Sequence, residues 1–105
     1  MIVVYVRYFG KLRELFDVRK EEYAVDEGTS LMDLLVNRIP QKHPGVFEAW
    51  TGNLFRTVKG ELAQNKDGVP VLGNYLITLN GKSASLREKM KEGDEVAVMP
   101  PFGGG

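Results

Sequence analysis

From Ile2 to Phe9 the chain is β-branched or aromatic at every position except Arg7. Such a run forms a strand, because branched and ring side chains pack well on a pleated surface. Ile2, Val4, Val6 and Tyr8 share one face, and Val3, Tyr5, Arg7 and Phe9 share the other. Apolar side chains on both faces need cover above and below, so this strand is expected in the interior of a sheet rather than at its edge.

Gly10 ends the run, and Leu12, Leu15 and Phe16 then recur at helical spacing, predicting one or two turns over Lys11–Phe16. Arg19 to Val25 reads as a second strand, with Tyr23 and Val25 on one face and Asp26-Glu27-Gly28 as the turn after it. The main helix opens at Thr29-Ser30. Ser30 and Asp33 have the spacing of a capping box, and Leu31, Leu34, Leu35 and Ile39 make its apolar stripe. Pro40 lacks an N–H and disfavours helical geometry at the residue before it, so the regular helix is expected to end near Arg38.

Between Gly45 and Asn74 the periodicity dissolves. Five glycines fall there, yet so do Val46, Phe47, Trp50, Leu54 and Phe55, which are too apolar for a solvated linker. Thirty residues is also long for a plain connection. The stretch is expected to pack back on the domain, with Trp50 and Phe55 buried and a short helix near Phe47–Trp50. Regularity returns with the strand Tyr75–Leu79 and Asn80-Gly81, a pair suited to the positive φ angles of a tight hairpin. Lys82–Ser85 is the expected return strand and Leu86–Lys91 a helical turn. Glu95–Met99 is the last strand, expected beside the first and parallel to it. The order describes an α+β domain, a mixed sheet with one main helix packed on one face.

The chain of 105 residues has fourteen basic and fourteen acidic groups and no cysteine. A neutral balance gives no general electrostatic case for nucleic acid or a membrane surface. The missing cysteines exclude disulfides and thiolate chemistry. No apolar run approaches the ~20 residues of a bilayer span, and Met1 leads into a strand without a signal-peptide pattern. A cytoplasmic location is the expectation.

The final stretch is Pro100-Pro101-Phe102-Gly103-Gly104-Gly105. Two prolines cannot pair in a ladder and hold the chain extended. Three glycines then make a thin end with no Cβ near the terminal carboxylate. At ~3.3 Å per residue, the run from Phe102 to Gly105 reaches on the order of 13 Å. A frayed terminus would explain glycines alone. A rigid exit, one apolar anchor and an unhindered acyl carbon together point to a tail that enters another protein's active site. Residues 1–99 are expected to form the domain, with 45–74 an insertion in it and 100–105 an extended, flexible tail.

Several pieces together carry a resemblance: the opening strand running into Arg13-Glu14-Leu15, the Leu-rich helix after Gly28-Thr29, Asn80-Gly81, and Gly93-Asp94-Glu95-Val96-Ala97 leading to Pro100-Pro101 and Gly104-Gly105. The chain resembles the ubiquitin-like β-grasp sulfur carriers, specifically the small subunit of molybdopterin synthase and its archaeal-type relatives. The resemblance implies a β-grasp fold and a carrier with no catalytic residues of its own. A ubiquitin-activating-type enzyme would use ATP to adenylate Gly105, and sulfur would then replace the adenylate to leave a thiocarboxylate. The large subunit of molybdopterin synthase would receive that sulfur for a pterin precursor. Two features depart from the pattern: the long 45–74 stretch, and Gly103 where Ser, Thr or Ala is common.

No cofactor or metal is expected on the chain itself, nor direct contact with membrane or nucleic acid. Val3, Tyr5, Leu76 and Met99 would lie on the sheet face away from the helix. They form either a docking patch or a second small core beneath the 45–74 stretch. His43, the only histidine, reads as a surface residue, and Lys11, Arg13, Lys89 and Lys91 read first as solvated charge and second as contacts for acidic partner residues. A ubiquitin-like modifier conjugated through Gly105, or a carrier serving tRNA or thiamine, would use the same tail.

Overall fold

The computed structural model describes residues 1–59, 61–66, 68–73 and 75–99. The expected tail over residues 100–105 lies outside them. Five strands form one mixed sheet: β1 (Ile2–Tyr8), β2 (Lys20–Val25), β5 (Leu76–Leu79), β6 (Lys82–Ser83) and β7 (Glu95–Met99), in the order β2-β1-β7-β5-β6. β1 is internal, as its two apolar faces require. It pairs antiparallel with β2 (Val4 opposite Tyr23) and parallel with β7 (Val6 opposite Val96). β5 flanks β7 on the other side, with Ile77 opposite Val98. Between β5 and β6, Asn80 and Gly81 have φ of 53° and 85°, the double positive φ of a tight hairpin turn.

One layer of helix covers one face of the sheet. Val4, Val6, Tyr8, Val96 and Val98 point into it and are wholly buried, with Ile77 beside them. Leu31, Leu34, Leu35 and Ile39 meet them from the helix with no exposed surface. Each such side chain contributes roughly 1.5–3 kcal/mol of burial. Leu79 is half-buried at the rim of this layer. A short helix, α1 (Lys11–Phe16), closes one end with Leu12 and Phe16 inward.

The main helix does not end at Arg38. It runs as α2 (Leu31–Asp33), a π turn (Leu34–Arg38) and α3 (Ile39–Lys42), passing through Pro40. Ser30 caps it by accepting from the Asp33 N–H at 3.1 Å. The other half of the expected box is not made. The Asp33 carboxylate instead accepts from Asn37 and Arg38 one turn on. In the π turn the Ile39 N–H reaches back five residues to the Leu34 carbonyl. This wider turn accommodates a proline whose ring would crowd the carbonyl four residues behind it.

After a 3-10 turn (Pro44–Val46), helix α4 (Phe47–Leu54) leads into a small antiparallel hairpin, β3 (Thr57–Val58) and β4 (Glu61–Leu62). Bridges from Phe55 to Leu72 and from Gln64 to Pro70 tie its flanks together. Trp50 is fully buried and Phe55 nearly so. The expected helical turn over Leu86–Lys91 is absent. A reverse turn, with the Glu88 N–H donating to Ser85 C=O, is followed by chain running antiparallel across the start of the main helix. There Leu31 N–H donates to Glu88 C=O and Met90 N–H to Thr29 C=O. The Leu31 bond, with one from Met32 N–H to Leu86 C=O, serves donors that a helix start leaves open, which makes extended backbone the better use of this stretch.

Candidate tail exit and docking face

The strand that delivers the last residues is the middle one of the five. β7 ends at Met99, opposite Leu76 of β5, and the Phe9 N–H donates to the Val98 carbonyl at 3.3 Å. The chain therefore leaves beside the β1–α1 corner, held by β1 up to Val98 and by β5 up to Met99. The predicted site residues Pro100, Pro101, Phe102, Gly103, Gly104 and Gly105 lie beyond it, outside the described residues.

The face of the sheet opposite the helix carries the predicted docking residues. Pairing sets Leu76 beside Met99 and Tyr5 beside Glu95, while Val3 lies two residues from Tyr5 on the same side of β1. Leu76 is 39% exposed, and Val3, Tyr5 and Met99 are half-buried. Trp50 and Phe55 pack on the helix side: Trp50 makes edge contacts with the rings of Phe16 and Tyr8 and donates to Leu35 C=O. The four docking candidates are thus on one face that the described residues leave partly open. Charge interrupts the patch. Arg7 and Lys20 share the Glu95 carboxylate at 3.4 and 3.2 Å, and the Lys20 ammonium also sits 4.8 Å from the centre of the Tyr5 ring. The hydrogen bond from Lys20 leads in holding the Glu95 carboxyl below its usual range.

A second polar group was not anticipated. Glu21 points inward from β2, and its side chain is almost completely covered. Its carboxylate accepts from the Tyr8 and Tyr23 hydroxyls at 2.8 and 3.1 Å and from His43 Nε2 at 2.8 Å, with Lys42 Nζ at 3.5 Å. Burial raises the Glu21 carboxyl. Hydrogen bonds from Tyr8 and His43, with the charges of His43 and Lys42, outweigh it and leave the group lowered. Desolvation pushes both tyrosine hydroxyls well above their ordinary range. His43 is therefore no free surface residue: it fastens the end of the main helix to β2. The sequence signal was a carboxylate at the inward position of a strand reading Glu21-x-Tyr23-x-Val25. The two hydroxyls and the His43 Nε2 are all tied to the one Glu21 carboxylate. Among the described residues no group of three His, Asp or Glu side chains could hold a metal ion, and no helix is long and apolar enough to cross a membrane.

The profile of the ThiS family matches residues 6–105, nearly the whole chain. The chain belongs to the ThiS family. A molybdopterin synthase sulfur carrier subunit of Chlamydomonas reinhardtii is 28% identical over 100 residues, 95% of either protein. Among solved structures, a putative molybdopterin converting factor subunit 1 from Pyrococcus furiosus superposes with a TM-score of 0.68 at 29% identity, covering 97% of this chain and all of the other. Small archaeal modifier protein 1 of Haloferax volcanii gives 0.69 at 22%, again over 97% of this chain and all of the other. Its counterpart from Methanosarcina acetivorans gives 0.70 at 21%, over 100% and 98%. At those identities the modifier proteins are alike in fold. The sheet order with one helix layer is the ubiquitin-like β-grasp arrangement, and the chain stands among the ubiquitin-like sulfur carriers that its motifs resemble.

Proposed function

We propose that this chain is the sulfur-carrying small subunit of a molybdopterin synthase, acting through Gly105. The observation that carries the reading is positional. β7, held between β1 and β5, ends at Met99 beside Leu76 on the partly open sheet face, with Tyr5 and Val3 on that same face farther back along β1. The similarity to the Chlamydomonas reinhardtii sulfur carrier subunit runs along 95% of both chains, so no other domain of that relative is left to do the work.

On this reading the chain is substrate and carrier. A ubiquitin-activating-type enzyme binds ATP, the Gly105 carboxylate attacks the α-phosphorus, and pyrophosphate leaves. A sulfide-level donor then attacks the acyl carbon and AMP departs, giving the thiocarboxylate. The synthase large subunit takes up residues 100–105, and the open sheet face docks the body against it. Glycine at the acyl position leaves the carbonyl carbon unshielded, and sulfur travels on the chain end without any cysteine.

Incubation with the activating enzyme of the same organism, ATP and a sulfur donor is expected to add about 16 Da to the intact mass, oxygen replaced by sulfur. The loaded chain with the large subunit should then convert the pterin precursor. Loading without conversion would move the assignment to another sulfur acceptor. Lysine-linked conjugates of this chain in lysates of its source would move it to a protein modifier, the role named for the archaeal proteins of the same fold.

A further inference from the structure

Although the chain is neutral overall, its charge is not spread evenly. Residues 7–20 hold five cations (Arg7, Lys11, Arg13, Arg19 and Lys20) against two carboxylates, whereas residues 21–27 hold four carboxylates and no cation. The fold sets the cations of the first run at one end of the sheet and Asp26 and Glu27 of the second at the other, with Glu21 and Glu22 in β2 between them. Arg7 and Lys20 are paired residues at the far end of β1 and the near end of β2, and α1 bridges the same end. That is the end from which the chain leaves β7, since Tyr8 lies opposite Val98. Asp26 and Glu27 follow β2 at the other end, where Glu92 and Asp94 precede β7.

The cations at the exit are available. Only Arg7 and Lys20 have a carboxylate partner, and they share one, Glu95. Lys11, Arg13 and Arg19 have none among the described residues. Arg13 is aimed by the fold: its Nε donates to the Tyr8 carbonyl at 3.5 Å, and its guanidinium lies 5.9 Å from the centre of the Phe9 ring. Arg7 lies 5.6 Å from the same ring. Arg13 and Arg19 line an open hollow between α1 and the start of β2, together with Val18 and the carboxylates Glu14 and Asp17. Phe9 is thus flanked by two guanidinium groups, and its own N–H bonds to Val98, one residue before the last described one.

We infer that this corner is an electrostatic docking element for the ubiquitin-activating-type enzyme that adenylates the tail, and that this enzyme's groove is rimmed with carboxylates beside its mouth. The inference deepens the carrier reading and rests on it. Six residues span ~20 Å when extended. A partner that takes up residues 100–105 must therefore bring its rim to the exit, where the corner is the nearest charged surface. Carboxylates in the rim gain unpaired guanidinium donors there, while the acidic end of the sheet turns the wrong approach away. Exposed charges of this kind act through orientation and association rate and are weakened by salt.

The test pairs two double variants of equal charge change: Lys11→Glu with Arg19→Glu at the corner, and Lys89→Glu with Lys91→Glu at the far end. Circular dichroism should show both folded as the wild type, since all four side chains are exposed. In ATP–pyrophosphate exchange with the activating enzyme at 50 mM NaCl, the corner variant should raise KM about tenfold with kcat unchanged. The far-end variant should move it less than twofold, and 300 mM NaCl should erase most of the difference. Equal effects of the two variants, or none from the corner variant, overturn the inference. If the wild type is not adenylated at all, the carrier reading falls, and the corner is judged on binding to poly-L-glutamate at 50 mM NaCl. Weaker binding by the corner variant alone keeps it; identical binding by all three proteins overturns it.

Discussion

The indole N–H of Trp50 donates to the main-chain carbonyl of Leu35 at 2.8 Å, across fifteen residues of sequence and with no solvent near either group. That carbonyl sits in the π turn, where the Ile39 N–H is drawn to Leu34 and the next position is Pro40, which has no N–H. Trp50 supplies a donor that the helix lacks at this point. An unpaired buried carbonyl costs about 1–3 kcal/mol, so the bond helps explain how the helix continues to Lys42. It also fixes where the 45–73 chain must pass.

The two residues should therefore be coupled in stability. Trp50→Ala should cost roughly 3–5 kcal/mol by the cavity alone. Trp50→Phe keeps much of the volume and should cost about 1–3 kcal/mol, mostly the orphaned carbonyl. In a Pro40→Ala background the restored N–H can serve the helix, and Trp50→Phe should then cost about 1 kcal/mol less. A double-mutant cycle in urea checks this. Additive losses would mean that the indole bond is independent of the proline.

A second expectation concerns acid. Glu21 has a lowered pKa in the folded protein, so its contribution is present above the unfolded value near 4.5 and is lost as pH falls through the lowered folded one. Glu95 is shifted in the same direction, but it is exposed and screened, so Glu21 should dominate. Glu21→Gln should lower stability at pH 7 by about 1–3 kcal/mol and flatten the acid limb of stability against pH. Denaturant midpoints from pH 7 to pH 3 supply the measurement, and parallel acid limbs for the two proteins would contradict it.

What the sequence made legible was local. β1 announces itself as an interior strand by its two apolar faces, and the Asn80-Gly81 hairpin follows from backbone preference alone. The helix end did not, because Pro40 stops a helix only when nothing else serves the carbonyls it abandons. The donor came from Trp50, inside a stretch without periodicity. Leu86–Lys91 misled for a similar reason: its backbone is claimed by Thr29 and Leu31 across the helix start, a contact no local pattern encodes. Of the candidate site, Val3, Tyr5, Leu76 and Met99 could be placed on one face by alternation. The Glu21 cluster could not, since it needs the helix end and two strands assembled first.

Gly81 offers a backbone test. Its φ is 85°, and an added Cβ would meet nothing within 4 Å, so any penalty is conformational rather than steric crowding. Gly81→Val should cost about 1–2 kcal/mol. The damage should reach β7, because Asn80 bonds to Asp94 through its side-chain nitrogen and accepts from the Glu95 N–H through its oxygen. Faster amide exchange at Glu95 in this variant is the measurement. Exchange that changes only within β5 and β6 would show the turn to be energetically separate from the exit strand.

The tail separates function from stability. Residues 100–105 follow a strand paired with β1 up to Val98 and with β5 up to Met99, so the domain's described contacts do not depend on them. Deleting Gly105 should abolish adenylation and the ~16 Da gain while leaving the thermal midpoint within about 1 °C. Gly104→Val keeps the length and the carboxylate but adds a branched Cβ beside the acyl glycine. It should lower kcat/KM for adenylation at least tenfold, because a stiffer and wider chain fits a narrow groove poorly. Gly104→Ala, with a single methyl, should fall between. A Gly105 deletion that is still thiocarboxylated would remove the chain end from the chemistry. A deletion that unfolds the domain would instead make the tail part of the fold, and the ThiS-family likeness would then speak for architecture rather than for sulfur transfer.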